Sequence, residues 1–140
     1  MINLLDHYVN GEKLYEQVVS TVYKKYNLTY MEFTILMFLY NNKKYDTATE
    51  IISYRHLSKS HVSSSIKSLE SKGYLTSFYL ESNHRTIHLK LLDSASSICK
   101  EGKTAQNRFK DIITEGLTKE EVDMLLSFLN RIDKNVNDNL

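Results

Sequence analysis

In the middle of the chain, apolar residues first recur at a helical spacing and then alternate. The helical set is Val62, Ile66 and Leu69. The alternating set is Ile87, Leu89 and Leu91. The first spacing predicts one face of a helix, and the second predicts one face of a strand. Gly73 fits the residue that ends the helix. We therefore predict a helix and then a two-stranded ribbon over 74–80 and 86–92, with its turn at 82–85.

Amphipathic helices are predicted on both sides of this unit. The first covers residues 2–26 and carries a wide apolar stripe rich in tyrosine. Three sequences of the form S/T-x-x-E predict further helix starts, at Thr29, Thr47 and Thr118. A sparser stripe predicts a helix that Asp93 or Ser94 caps and that ends near residue 115, with Gly102 at a bend or a close crossing. A last amphipathic helix follows, and residues 135–140 are expected to fray.

The short helix after Thr47 and the helix through Val62 fit a helix-turn-helix. The first is predicted to end near Arg55 or His56, and either Ser58 or Ser60 caps the second, so that three or four residues join them. In this motif the second helix enters the major groove of DNA. When its apolar residues face inward, the residues that face outward are Ser60, Ser64, Lys67, Ser68 and Ser71, flanked by His61 and Ser63.

The outer face of this helix suits contact with DNA. Serine hydroxyls can donate to phosphates and contact base edges, and Lys67 can reach a guanine or a phosphate. Serine is a middling helix former, so a freely solvated helix would gain little from so many. Arg85, placed at the tip of the ribbon, can enter a narrow minor groove, although a lone loop arginine is otherwise simply solvated.

Charge and composition agree with this hypothesis. Residues 55–90 have a net charge of +4, whereas the net charge of the whole chain is only +1. An asymmetry of this kind marks a phosphate-facing surface or arises by chance. The 140 residues, 41% of them hydrophobic, suffice for one domain with a core. The chain shows no apolar run of membrane-spanning length and no signal-peptide pattern, and its one cysteine excludes an internal disulfide. We therefore expect a cytoplasmic protein without membrane attachment.

The order of the predicted elements resembles the MarR family of bacterial transcriptional regulators. The residues that carry the resemblance are TATEIISYRHLSKSHVSSSIKSLESKGYL at 47–75 and the wing ESNHRTIHLKLLD at 81–93. The resemblance implies a mainly α fold with a small β-ribbon, formed as a single domain over 1–140. In it, a winged helix-turn-helix core at 28–92 is flanked by dimerisation helices at 1–27 and 93–138.

By the same resemblance, the protein is a homodimer that binds double-stranded DNA at a pseudo-palindromic operator and usually represses a nearby gene. A recognition helix at about 58–72 would lie in the major groove, and a wing at about 76–92 at the minor groove. The expected DNA-binding residues are Ser58, Lys59, Ser60, His61, Ser63, Ser64, Lys67, Ser68, Asn83, His84 and Arg85. The family commonly has aspartate where Asn83 stands, arginine at Ser64 and an acidic residue at Lys67. Base preference is therefore expected to differ from that of typical members.

Many members of the family release DNA when a small aromatic or phenolic effector binds between the dimerisation helices and the DNA-reading domain. Tyr8, Tyr15 and Tyr40 are the candidates for lining such a cavity, with ordinary core packing as the alternative for each. Two other functions stay open. One is a winged helix that has lost DNA binding and docks another protein. The other is a SarA-like regulator, close in shape, that takes no small-molecule ligand.

No enzymatic or metal chemistry is indicated. The sequence has no phosphate-binding glycine loop, nucleophile elbow or paired-carboxylate motif, so we expect neither an enzyme nor a cofactor. His84 and His88 lack a third ligand at suitable spacing, so no metal site is predicted. Lys100 lies next to Cys99 and gives only weak support for a redox role. We expect Cys99 to be an unreactive core residue.

Overall fold

The computed structural model describes the backbone of residues 4–140 and the side chains of residues 6–140. Within this range the elements are α1 (Leu4–Lys25), α2 (Tyr30–Asn41), α3 (Ala48–Arg55), α4 (Lys59–Ser71), β1 (Leu75–Leu80), β2 (Asn83–Leu91), α5 (Ser96–Ile113) and α6 (Lys119–Asn137). The predicted mainly α fold with a small β-ribbon is confirmed. The predicted helix start at Ile2 lies outside the described residues.

Three helices begin where the sequence predicts a capping box. At the starts of α2, α3 and α6 a threonine hydroxyl accepts a hydrogen bond from the backbone of a glutamate three residues later. In return, that glutamate's carboxylate accepts one from the threonine amide. The three threonines are Thr29, Thr47 and Thr118. Each box satisfies amide groups that the first turn of a helix leaves without a partner.

α2 is the central helix of the core, as its apolar density predicts. Phe33, Ile35 and Leu36 are fully buried. The other elements contribute fully or almost fully buried side chains around them, namely Val19 of α1, Ile51 of α3, Leu69 of α4, Leu75 of β1, Leu89 of β2 and Ile98 of α5. One continuous core therefore joins α1 through α5 with the base of the hairpin.

α5 crosses α2 closely at Gly102. A Cβ atom at this position would lie 2.5 Å from the Sδ of Met37 and 3.0 Å from the Cε2 of Phe33. Of the two predicted roles of Gly102, the close crossing is the one that the structure confirms, because a methyl group there would force the side chains of Met37 and Phe33 to shift.

The hairpin turn is shorter than predicted. β1 and β2 pair antiparallel from Leu75 opposite Leu91 to Leu80 opposite Asn83, with an irregularity between Phe78 and Leu80. Only residues 81–82 lie between the strands, so the predicted turn at 82–85 was wrong. The tip of the ribbon is exposed on both faces, and its polar residues therefore give the same sequence signal as a loop.

The hairpin is also joined to the chain before α3, which no sequence pattern predicted. The amide of Leu89 donates to the carbonyl of Asp46 over 2.7 Å, and Thr47 forms an isolated bridge with His88. A contact of one or two residues is too short to produce an alternating pattern. It fixes β2 against the start of α3.

The beginning of α5 also differs from the prediction. Asp93–Ala95 form a 3₁₀ turn, and α5 starts at Ser96 without a side-chain cap. Neither Asp93 nor Ser94 therefore caps the helix. The hydroxyl of Ser94 instead donates to the carbonyl of Gly73, at the end of α4. This bond ties the start of α5 to the end of α4.

α6 contains no buried residue. Large apolar side chains are exposed along it, at Met124, Leu125, Leu126, Phe128, Leu129, Ile132 and Val136. The predicted fraying from residue 135 was partly wrong, because α6 continues to Asn137. Over residues 4–140, no helix has the length and apolar character needed to cross a membrane.

Candidate nucleic-acid interface

The turn between α3 and α4 spans three residues. α3 is followed by its C-cap residue His56, whose backbone is left-handed with φ of 51°, and the amide of Leu57 donates to the carbonyl of Ile52. The hydroxyl of Ser58 accepts from the amide of His61 over 3.1 Å and caps α4. Of the two candidate caps, Ser58 is therefore the one used. The two short helices form the helix-turn-helix that the spacing predicts.

α4 exposes a continuous polar face. Val62, Ile66 and Leu69 are buried as predicted. Seven of the predicted DNA-binding residues on or next to this helix are exposed: Ser58, Lys59, Ser60, His61, Ser63, Ser64 and Lys67. The hydroxyl of Ser64 donates to the carbonyl of His61 over 3.0 Å, so it has no proton left to donate but keeps acceptor capacity. The helix can therefore approach another molecule with short side chains and one central cation.

Ser68 does not belong to this exposed face. It is half-buried, and its hydroxyl donates to the carboxylate of Glu32 on α2. The helical repeat placed Ser68 outward because it lies near the boundary between the two faces. Its partner lies 36 residues earlier, where no local pattern shows it. The structure therefore separates Ser68 from the other predicted DNA-binding residues.

The wing presents Asn83, His84 and Arg85 on β2, directly after the turn, and all three are exposed. The side-chain oxygen of Asn83 accepts from the amide of Arg85 over 2.9 Å, and its nitrogen donates to the hydroxyl of Thr86, also over 2.9 Å. The ring of His84 lies 5.9 Å from that of Tyr79 across the hairpin. Asn83 thus holds the backbone at Arg85 although it carries no charge.

The cations of this surface are free to meet an anion. Among the described side chains, Lys59, Lys67 and Arg85 form no ion pair with a carboxylate. The acidic residues between 55 and 90 number two, at Glu70 and Glu81. Unpaired basic side chains on an exposed helix and on a neighbouring hairpin are typical of surfaces that bind double-stranded DNA.

Comparisons with known proteins agree with this geometry. A model of the MarR family matches residues 26–77, which include the whole helix-turn-helix. A MarR-family transcriptional regulator from Listeria monocytogenes, solved with a 26mer DNA, superposes with a TM-score of 0.88 at 16% identity, over 99% of this chain and 92% of that one. The chain has the MarR-family fold, and its helix-turn-helix matches the MarR family in sequence.

Two further structures show the same fold. A MarR protein from Peptoclostridium difficile has a TM-score of 0.79 at 21% identity, over 99% of this chain and 91% of that one. A mutant MarR from E. coli, complexed with operator DNA, has a TM-score of 0.73 at 17% identity, over 94% of each chain. The MarR-family architecture therefore extends over nearly all of this chain, beyond the segment matched in sequence.

The MarR-family fold leaves a cleft beside the base of the wing. It lies between the end of α2, the hairpin and the start of α5, and Tyr40, Tyr45 and Phe78 are among its lining residues. Tyr8 and Tyr15 do not line it. Tyr8 is 67% exposed, and the hydroxyl of Tyr15 accepts from Gln106 over 2.7 Å while its ring packs on Phe109. Of the three predicted ligand-binding tyrosines, Tyr40 alone borders this cleft.

Cys99, His84 and His88 each pack against or pair with neighbouring side chains. Burial raises the pKa of the Cys99 thiol to about 11, so the reactive thiolate is scarce at neutral pH. The Nδ1 of His88 lies 2.9 Å from a carboxylate oxygen of Asp46, whereas His84 packs on Tyr79. Over residues 6–140, no group of three or more potential ligands is placed to hold a metal ion.

Proposed function

We propose that this chain is a homodimeric, sequence-specific DNA-binding regulator of transcription that acts as a repressor and responds to a small ligand. The observation that carries the DNA-binding proposal is the set of unpaired cations on α4 and the wing, on an exposed surface otherwise made of short polar side chains. The MarR-family fold and the DNA-bound structures of two proteins with that fold support it.

In this proposal, α4 enters the major groove and β2 borders the minor groove. The first turn of α4 directs Ser58, Lys59 and Ser60 toward the phosphates, where the helix N-terminus adds favourable dipole charge. Ser64 and Lys67 face the base edges from the centre of the exposed surface. Arg85 reaches the adjacent minor groove, where negative potential is greatest in narrow segments.

The dimer proposal rests on α6. A helix with seven large exposed apolar side chains needs a cover, and a second copy of this chain provides an identical apolar face. Ile112 and Ile113 at the end of α5 are large exposed apolar side chains as well. Two-fold symmetry would place the two copies of α4 about one turn of DNA apart, roughly 34 Å.

The effector proposal rests on the cleft beside the wing. A small aromatic or phenolic molecule fits its lining, because Tyr40, Tyr45 and Phe78 supply apolar ring surface and Lys43 supplies a cation. Phe78 and residues 89–91 of the hairpin line the same cleft. A ligand there would touch the base of the wing and bias its position, which gives a physical route from effector to DNA affinity.

DNA binding can be tested by fluorescence anisotropy with duplexes tiling the DNA upstream of the protein's own gene. We expect specific binding to an inverted repeat, with affinity that falls steeply with salt. Lys67→Ala and Arg85→Ala should each weaken it by about 1–3 kcal/mol if they contact bases, or lower the salt slope by about one unit if they contact phosphates. Lys110→Ala, which removes one exposed cation from α5, is the charge-matched control and should leave the affinity unchanged.

The two variants also test whether α4 and the wing form the surface that binds DNA. Unchanged affinity in both Lys67→Ala and Arg85→Ala would show that DNA meets another face of the molecule. A wild-type chain that dimerises but binds none of the duplexes would instead favour a protein-docking winged helix.

A further inference from the structure

Glu32 is a buried carboxylate at the point where α2 meets α4. Its side chain is 3% exposed, yet it accepts hydrogen bonds from three directions. The amide of Thr29 donates over 2.8 Å, the hydroxyl of Ser68 donates to Oε1, and the ammonium of Lys72 lies 2.9 Å from Oε2 and 3.2 Å from Oε1. Two of these three donors belong to α4 or its C-terminal cap.

The other two capping boxes show that this arrangement exceeds what a helix start requires. The carboxylates of Glu50 and Glu121 accept from the threonine of their own box, at Thr47 and Thr118. Among the described residues neither has a hydrogen bond to another helix. Glu32 performs the same capping role and, in addition, joins two helices.

Lys72 extends the junction to a third segment. Its ammonium also donates to the carbonyl of Asn27 over 2.9 Å, in the turn between α1 and α2. Asn27 has a left-handed backbone with φ of 54°. The end of α4 is therefore held by two neighbouring segments through a single lysine.

The ionised form of Glu32 is favoured despite its burial. Burial opposes ionisation, but the hydrogen bonds from Ser68, the Thr29 amide and Lys72 outweigh it and lower the pKa of the carboxyl below its usual value. A buried charge satisfied on all sides is costly to rearrange, because moving any donor leaves it unpaired. The hydrogen bonds of this junction therefore depend on the orientation of α4 relative to α2, whereas apolar contacts do not.

This dependence on orientation affects which side chains α4 exposes. The inward face of α4 packs through Val62, Ile66 and Leu69, and the hydrophobic effect that favours this burial is non-directional. Ser68 and Lys72 are one helical turn apart and continue the flank that begins at Ser64. Fixing this flank against Glu32 sets which side chains of α4 point outward.

We propose that Glu32 is a positioning residue for DNA recognition, which with Ser68 and Lys72 sets the rotation of α4 about its own axis. This inference rests on the proposed function, because it concerns how α4 presents its exposed face to bases. Phosphate contacts tolerate small rotations, whereas hydrogen bonds to base edges do not. Loss of the junction should therefore reduce discrimination between operator and random DNA more than it reduces overall affinity.

The test compares Glu32→Gln, Ser68→Ala and Lys72→Met with Glu121→Gln, at a temperature where circular dichroism shows each to be folded. Glu121→Gln loses a capping carboxylate and one negative charge, as Glu32→Gln does, but touches no other helix. The measured quantity is the ratio of affinities for operator and random duplexes. We expect Glu32→Gln to lower it about tenfold and Glu121→Gln to leave it unchanged. Ser68→Ala and Lys72→Met keep the test valid if Glu32→Gln fails to fold.

A double-mutant cycle separates positioning from direct contact. If Ser68 acts through Glu32, Ser68→Ala has no further effect in the Glu32→Gln background. Additive losses would mean that Ser68 touches DNA itself and would overturn the proposal. A ratio unchanged in all three variants, with wild-type operator binding intact, would also overturn it and leave the proposed function standing. Absence of operator binding in the wild type would overturn both.

Discussion

Cys99 illustrates how burial decides the chemistry of a single side chain. It is 1% exposed at the start of α5 and lies within the core cluster. The sequence places Lys100 beside it, which could favour a thiolate, but the structure surrounds the sulfur with apolar groups. The rise in the pKa of its thiol follows from that burial alone.

We therefore predict that Cys99 is protected from alkylation in the native protein. With its pKa at about 11, the thiolate fraction at neutral pH is roughly a hundredfold below that of an ordinary cysteine, and only 1% of the residue is exposed. Iodoacetamide labelling followed by mass spectrometry should be slow for the folded chain and should speed up as the pH rises. The same reaction in guanidinium chloride is the control. Rapid labelling of the native protein would revive a redox role.

Asn83 shows the limit of argument from residue type. The MarR family commonly has aspartate where Asn83 stands. The structure shows that the amide oxygen of Asn83 accepts from the backbone of Arg85 and that its nitrogen adds a bond to Thr86. The backbone support needs an acceptor rather than a charge, and sequence alone does not separate these two properties.

At the scale of helices and strands, local signals were predictable and distant ones were not. The capping boxes at Thr29, Thr47 and Thr118 were correct because donor and acceptor lie within four residues. The start of α5 was misplaced because Ser94 bonds to Gly73, 21 residues earlier. The early start of β2 was missed because pairing with β1, rather than a buried face, makes that segment a strand.

Two glycines in helices allow a paired prediction. Gly11→Ala should stabilise the protein by about 1 kcal/mol, because α1 gains helix propensity and nothing lies within 4 Å of the new methyl group. Gly102→Ala gains the same propensity but forces its methyl against Met37 and Phe33, where overpacking costs about 1–3 kcal/mol. Chemical denaturation should show that the two substitutions change the free energy of unfolding in opposite directions or by clearly different amounts. Equal stabilisation by both would mean that α2 and α5 separate easily.

At the scale of the whole molecule, the exposed residues of α4 could be predicted, but their support could not. A repeat of three and four residues separates the two faces of one helix. The junction of Glu32 with Ser68 and Lys72 joins residues 36 and 40 positions apart, so it leaves no periodic trace. Tyr40 could be proposed as a cleft residue from its type, whereas Tyr45 and Phe78 enter the cleft only through tertiary packing.

The proposed dimer makes a prediction at this same scale. Leu129→Glu places a charge in the apolar face of α6 and should yield monomers by light scattering, with operator affinity lowered by about two orders of magnitude as bivalent binding is lost. Ser127→Glu adds the same charge about 160° away around the helix and should change neither property. A dimer that survives Leu129→Glu would place the interface elsewhere.

Because α6 contains no fully buried residue within its own chain, its folding should be coupled to dimer formation in the proposed assembly. An isolated amphipathic helix of this length is marginal in water, so its order has to come from the second copy. The unfolding midpoint would then depend on protein concentration, with each tenfold dilution removing about 1.4 kcal/mol from the stability of the dimer. In a cell, the concentration of the protein would set the fraction that is dimeric. A low concentration would therefore limit occupancy of the operator.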